Sequence, residues 1–321
     1  MKVVITDHPF VSLDIAQEIF SSNGIEMEEL QKPDSEAIIA KGKEADAFLV
    51  GMAKIDDNIL GSLNQCKIIV RFGTGYDNID IKAATSRGIP VSNVPDFCMD
   101  EVSDHAMAFI LTAGRKIIQG VNAVKDGKWG PMSVDINSFH CLKGQTLGLY
   151  GLGRIAQMVA QKARAFGMNC IAFDPFMSKE EMSKKSVEKV EMDALLERSD
   201  FISLHAPLTD ETENAFNLDK FRSMKKTAWI INTSRGQIIQ ESDLVAALDQ
   251  ELIAGAALDV LAPEPPAKDS PLLNRNNVII TPHIGWMSLE ARDDMLRKGV
   301  EEVVRVLKGE KPKNSLNPEV L

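Results

Sequence analysis

An α/β protein with two doubly wound parallel-sheet domains is what this sequence predicts, on three observations. Short apolar runs alternate with longer helical patterns along its 321 residues. The runs are continuously apolar, as parallel strands covered on both faces require. The length exceeds one typical domain and suits two.

Taken in order, the first half reads as strands at 3–5, 47–50 and 68–70 with helices between them, running to about Pro95. The opening MKVVITD is too short and too soon charged for a signal peptide, and reads as a buried first strand. From Asp100 the apolar positions continue to Val124. With acidic residues at its start, suiting the positive end of the helix dipole, this reads as one long helix joining two domains. Residues 125–145, rich in Gly, Asn, Ser and Lys, read as a loop. Strands come next at 146–150, 169–173, 201–204, 228–231, 255–258 and 278–280. The amphipathic stretch 289–307 then reads as a return to the first domain. That domain is therefore expected to be discontinuous, 1–98 with 291–321, around a second domain of 99–290.

Composition excludes several classes of function. A net charge of −10 argues against nucleic acid as a partner. The basic cluster 179–189 is interrupted by Glu180, Glu181 and Glu188 and reads as a solvated helix face. No apolar run is long enough to span a bilayer, so no membrane partner is expected. Cys66, Cys98, Cys141 and Cys170 are far apart and form no CxxC pair. They argue against a disulfide framework or a metal site and suit a reducing cytoplasm.

The strand at 146–150 leads into Gly151-Leu152-Gly153-Arg154-Ile155-Ala156 and a helix. In such a loop the first glycine permits a tight turn and the second lets the backbone approach a pyrophosphate. The small third residue lets the helix pack on the strand. The helix start then offers N–H groups and positive dipole to the phosphates. A second strand ends in Asp174, 21 residues after Gly153, where a carboxylate accepts from ribose hydroxyls. No Arg or Lys immediately follows it, so NAD is favoured over NADP. The second domain is thus read as a Rossmann domain binding NAD.

Arg235, Glu264 and His283 each lie just beyond a different expected strand of that domain. Ligands of doubly wound sheets gather at such carboxyl ends. The three types suit reduction of a 2-oxo acid by a nicotinamide. Histidine is the acid–base for neutral pH, glutamate orients its ring, and arginine holds carboxylate and carbonyl oxygens. His205 has no acid partner in its own motif and is not read as the base. His8, His105 and His140 show no partner pattern and receive no catalytic role.

With these motifs, and with His205-Ala206-Pro207-Leu208-Thr209, Asn232-Thr233-Ser234-Arg235-Gly236, Gly255 to Val260 with Glu264-Pro265, and Thr281-Pro282-His283-Ile284-Gly285, the chain resembles the D-isomer-specific 2-hydroxyacid dehydrogenase family. The resemblance spans essentially the whole length. It implies a central Rossmann NAD domain, a flavodoxin-like substrate domain built from both termini, an active site between them, and a homodimer. It implies the same roles for Arg235, Glu264 and His283. It also implies cofactor contacts from Thr74, Gly151, Leu152, Gly153, Arg154, Ile155, Asp174, His205, Ala206, Pro207, Thr212, Thr233, Ser234, Arg235, Asp259, His283 and Gly285, with Asp259 facing the nicotinamide amide.

Within the family, the stretch from Val70 to Asp80 and Trp286 resemble the branch of the C-terminal-binding proteins. That implies Arg71 on the substrate carboxylate, Gly73 and Thr74 beside it, and Trp286 as a pocket wall. The partner expected is a small 2-oxo or 2-hydroxy acid. Two alternatives stand beside this reading. One is an NAD(H)-sensing binding protein of the corepressor type. The other is a different dehydrogenation, such as that of phosphite, on the same fold.

Overall fold

The computed structural model describes every residue except 31–33, 134, 136 and 137. The chain divides into two compact units, Met1–Cys98 with Met287–Leu321, and Met99–Trp286. No helix among the described residues is long and apolar enough to cross a membrane.

The first unit holds strands β1 (Lys2–Ile5), β2 (Glu26–Glu29), β3 (Ala47–Val50), β4 (Ile68–Arg71) and β5 (Val91–Asn93). All pair in parallel, in the order β2-β1-β3-β4-β5, which is the flavodoxin-like order. Parallel neighbours need crossovers, and helices α1 (Asp14–Ser22), α2 (Ser35–Gly42), α3 (Asp57–Leu60) and α4 (Ile81–Ser86) supply them. The side chains of Asp34, Asp56 and Asp80 cap the starts of the last three, accepting from Ala37, Ile59 and Ala83 N–H. Strand β2 (EMEE) carries no apolar run. It sits at the sheet edge, where Glu28 pairs with Lys2 at 2.7 Å and Lys41 at 2.6 Å.

The second unit opens with α5 (Met99–Gly114) and α6 (Ile117–Lys125). This corrects the single long helix expected over 100–124. Gly114 lies so close to Leu142 that a Cβ there would stand 3.0 Å from its Cδ2. Lys116 then turns left-handed, at φ 53, and lays its ammonium 5.2 Å from the centre of the Trp229 ring. A left-handed residue just past the last turn is a common way for a helix to end. The apolar pattern ran on because a second helix begins within a turn.

Strands β6 (Thr146–Tyr150), β7 (Asn169–Phe173), β8 (Glu188–Lys189), β9 (Phe201–Leu204), β10 (Trp229–Asn232), β11 (Gly255–Leu258) and β12 (Val278–Ile280) form the second sheet. The helices that accompany them are α7 (Arg154–Ala165), α8 (Lys179–Lys184), α9 (Met192–Arg198), α10 (Leu218–Ser223) and α11 (Glu241–Asp249). The order β12-β11-β10-β9-β6-β7-β8 is parallel throughout. Its reversal between β6 and β9 is the Rossmann switch point. Consecutive strand residues feed opposite cores: Ile230 joins Ile202, Leu204 and Phe216 on one face, while Trp229 and Ile231 join Leu147, Leu149 and Val159 on the other. Burial on both faces is why these strands read as unbroken apolar runs.

The chain then returns to the first unit through α12 (Leu289–Leu307), capped by Ser288 on Ala291 N–H. Met295, Leu296, Gly299, Val300, Val303 and Leu307 form its buried stripe. Buried Glu302 accepts from Ser92 Oγ and from the N–H groups of Lys313 and Asn314. Asn317 bonds Val91 N–H and Ile89 O, so the C-terminal segment is fastened along β5.

Candidate active site

The register of the second sheet assembles the site. Tyr150 pairs with Phe173 and Leu204, Leu204 with Asn232, Asn232 with Leu258, and Leu258 with Ile280. Each is the last residue of its strand, and the strands lie about 4.8 Å apart. The residues just past these strand ends therefore stand along one edge: Gly151, Asp174, His205, Thr233 to Arg235, Asp259 to Glu264, and Thr281 to His283.

At the first of these turns Gly151 has φ +87, and a Cβ would meet Ala206 N at 3.0 Å, so glycine is needed there. Around the ideal Cβ position of Gly153, by contrast, no heavy atom lies within 4 Å. No side chain caps the start of α7, which leaves its first-turn N–H groups to a ligand. Asp174 accepts from Leu152 N–H at 2.8 Å and Phe176 N–H at 2.9 Å, holding its carboxylate beside the loop. Arg154 and Ile155 open α7 itself. Nearby, Thr212 donates to Pro207 O and so fixes the turn that follows His205 and Ala206. Thr233 Oγ1 is buried with no hydrogen-bond partner among the described residues. An open cradle over Gly153, an uncapped helix start, an acid at the second strand end and an orphaned hydroxyl fit a bound dinucleotide.

His205 Nε2 lies 2.9 Å from Ser203 Oγ, and burial pushes its pKa down to about 4. It is a neutral, packed imidazole. His283 is different. Its Nδ1 meets Glu264 Oε2 at 2.6 Å, and each side chain is 30% exposed. Burial acts to raise the Glu264 carboxyl. The His283 hydrogen bond and charge, the Leu261 N–H and the Arg235 charge outweigh it and hold the group below the usual carboxylate range. Arg235 stands in a turn closed by Asn232, whose side chain accepts from Ser234 N–H and donates to Arg235 O. Its Nη1 donates to Ser234 O at 2.7 Å. Asp259, expected to face the nicotinamide amide, is 3% exposed and directs both oxygens into the turn at 281–285. Trp286, at the end of this unit, is half-buried.

The first unit carries Arg71, Gly73 and Thr74 at the end of β4 and just beyond it, also at a carboxyl edge. Arg71 Nη1 donates to Phe72 O and Nη2 to Met52 Sδ at 3.6 Å. Thr74 O accepts from Asn93 Nδ2, and Gly73 O from Val94 N–H. Sequence reading missed how this edge is braced. Asp7, just past β1, accepts from the N–H groups of Gly51, Met52 and Ala53, while Asn78 donates to the carbonyls of Gly51 and Ala53. An Asp just past a strand end was the available signal, but its partners lie 44 to 46 residues away.

Residues 107–285 match the family model described as D-isomer specific 2-hydroxyacid dehydrogenase, NAD binding domain. The chain is 37% identical to a glyoxylate reductase of Korarchaeum cryptofilum, over 90% of this chain and 88% of that protein. It is 38% identical to a D-3-phosphoglycerate dehydrogenase of Archaeoglobus fulgidus, over 92% of this chain but only 56% of that longer protein. Among solved structures, a D-lactate dehydrogenase from Aquifex aeolicus, complexed with NAD and lactic acid, superposes with a TM-score of 0.89 at 26% identity, covering 99% of each chain.

Proposed function

Because this chain belongs to the D-isomer-specific 2-hydroxyacid dehydrogenases, NAD-dependent oxidoreductases, we propose that it interconverts a small 2-oxo acid and the D-2-hydroxy acid, with His283 and Glu264 as its acid–base pair. The observation that carries this reading is the 2.6 Å contact between His283 Nδ1 and Glu264 Oε2 at the carboxyl edge of the cofactor-domain sheet. Bound NADH supplies the hydride to the carbonyl carbon, and NAD takes it back on oxidation. With Nδ1 committed to Glu264, Nε2 is the nitrogen left to give its proton to the carbonyl oxygen as the hydroxyl forms. Glu264, ionised, offsets the imidazolium and fixes the ring. Arg235 polarises the carbonyl and holds the carboxylate. Arg71, Gly73 and Thr74 add carboxylate contacts from the substrate domain, and Trp286 gives an apolar wall. The remaining residues of the second-unit edge, Gly151 to Ile155, Asp174, His205 to Pro207, Thr212, Thr233, Ser234, Asp259 and Gly285, line the cofactor in this reading, with Asp174 favouring NAD over NADP.

A homodimer in the cytoplasm completes the proposal. Ile117, Ile118, Val121 and Val124 on α6, with Trp129 and Met132 beyond it, are exposed and apolar, a face that a second copy would cover. The test of function is NADH oxidation against glyoxylate, hydroxypyruvate, pyruvate and bulkier 2-oxo acids, with chiral analysis of every product but the achiral glycolate. Turnover to the D-hydroxy acid is expected. No turnover on the whole panel, or an L product, contradicts the reading.

A further inference from the structure

His105 lies in α5, far in sequence from the catalytic pair, and its ring packs edge-on against Phe109 with centroids 4.5 Å apart. Packing alone does not account for its polar end. His105 Nε2 lies 2.9 Å from Thr281 Oγ1. The Thr281 hydroxyl has a single proton, and it is given to Asp259 Oδ1 at 2.5 Å. Toward His105 that oxygen can only accept, so Nε2 carries the hydrogen.

Asp259 is the hub of this chain of contacts. Besides Thr281, its carboxylate accepts from the N–H groups of Ile284 and Gly285 and lies 3.5 Å, through Oδ1, from His105 Nε2 itself, and its backbone oxygen accepts from His283 N–H at 2.8 Å. His283 sits between these anchors with φ 55, a left-handed conformation that is strained for a side-chain-bearing residue. Such a conformation persists only where its surroundings over-determine it. The groups also crowd one point. A Cβ on Gly285 would stand 2.8 Å from Asp259 Oδ2 and 3.5 Å from His105 Cδ2.

We propose that His105 is a positioning residue for His283, acting through Thr281 and Asp259 to hold the left-handed turn that aims the imidazole. This rests on the acid–base reading of His283. Nε2–H of His105 fixes the Thr281 rotor. The rotor then delivers its proton to Asp259 and holds the carboxylate where both of its oxygens accept from the turn's N–H groups. Losing the donor frees the rotor and loosens the turn without touching any group that meets substrate.

The test uses the full chain with NADH and glyoxylate, or pyruvate if that is faster, and five variants: His105→Phe, His105→Gln, Thr281→Val, the double variant His105→Phe with Thr281→Val, and His283→Ala. Histidine-labelled protein also reports the His283 Nδ1 proton by NMR without any substrate. His105→Phe, which keeps the ring packing, is expected to lower kcat by about ten- to a hundredfold and broaden or shift that resonance, with a smaller change in KM for NADH than in kcat. His105→Gln, which restores a donor, should recover most of both. Thr281→Val, which leaves His105 Nε2 3.5 Å from Asp259 Oδ1, should lower kcat in the same direction and by no more than His105→Phe, and the double variant should be no worse than His105→Phe, which already removes both contacts. A His105→Phe protein with wild-type kcat and an unmoved resonance, beside an inactive His283→Ala, overturns the positioning role alone. A His283→Ala protein that still turns over overturns the acid–base reading and the positioning role with it. If His105→Phe does not fold, the Thr281→Val and Gln variants decide: wild-type kcat and resonance in Thr281→Val overturn the proposal.

Discussion

Glu264 and His205 titrate in opposite settings, and each gives a measurable sign. Glu264 is held below its ordinary value, so the bond to His283 is fully present above about pH 4.3 and is lost only as the pH falls through the depressed value. Replacing it by Gln should lower kcat by about ten- to a hundredfold at neutral pH. The stability gap between Glu264→Gln and wild type, read from urea midpoints, should be constant above about pH 5 and close in stronger acid. A gap that widens in acid would mean the carboxyl is not ionised in the fold. For His205 the folded pKa of about 4 lies below the ordinary 6.5. The unfolded chain therefore takes up the proton first, and the fold loses stability as pH falls from about 6.5 toward 4. His205→Gln, which can still reach Ser203, should flatten that fall between about pH 7 and pH 5. An unchanged slope would show that burial does not disfavour the His205 charge. These two residues also show what a sequence can carry. That His283 has an acid partner and His205 does not was legible from strand ends. That His105 reaches Thr281 was not, because the contact spans 176 residues and lies inside an ordinary amphipathic helix.

At the scale of the element, the strand–loop–helix at β6 and α7 separates folding from binding. Gly151→Ala forces a left-handed residue against Ala206 N and should cost roughly 1–2 kcal/mol of stability. Gly153→Ala meets nothing within 4 Å and already has φ −66, so stability should stay within about 0.5 kcal/mol. The added methyl would nonetheless stand where a pyrophosphate approaches, and NADH affinity should fall about tenfold or more. Fluorescence titration with NADH checks this. Undiminished affinity in Gly153→Ala would place the cofactor elsewhere. The loop was readable because its glycines and Asp174 fall at fixed offsets within a single strand–helix–strand unit. The edge strands β2 and β8 were not readable, because EMEE and EK take their place from charge pairs, among them the double contact between Arg198 and Glu188.

At the scale of the whole molecule, both sheets obey one rule: the polar groups assigned a role stand at strand carboxyl ends, and the apolar runs behind them are covered on two faces. The strand runs announced this, and so the fold class and most of the cofactor-domain edge were legible. What escaped was whatever depends on pairing between distant segments, such as the Asp7 bracket of residues 51–53 and the break between α5 and α6. The exposed face of α6 belongs to this scale as well. Light scattering should give the mass of two chains, and Ile118→Glu with Val121→Glu should give one. A monomeric wild-type protein would contradict the homodimer.

In the proposed reaction His283 moves the proton while the cofactor site stands independently of it. Steady-state turnover of His283→Ala, measured beside its affinity for NADH, tests it most directly. NADH binding within about twofold of wild type is expected, with a kcat lower by about two to four orders of magnitude. Wild-type-like turnover of a 2-oxo acid by His283→Ala would contradict it.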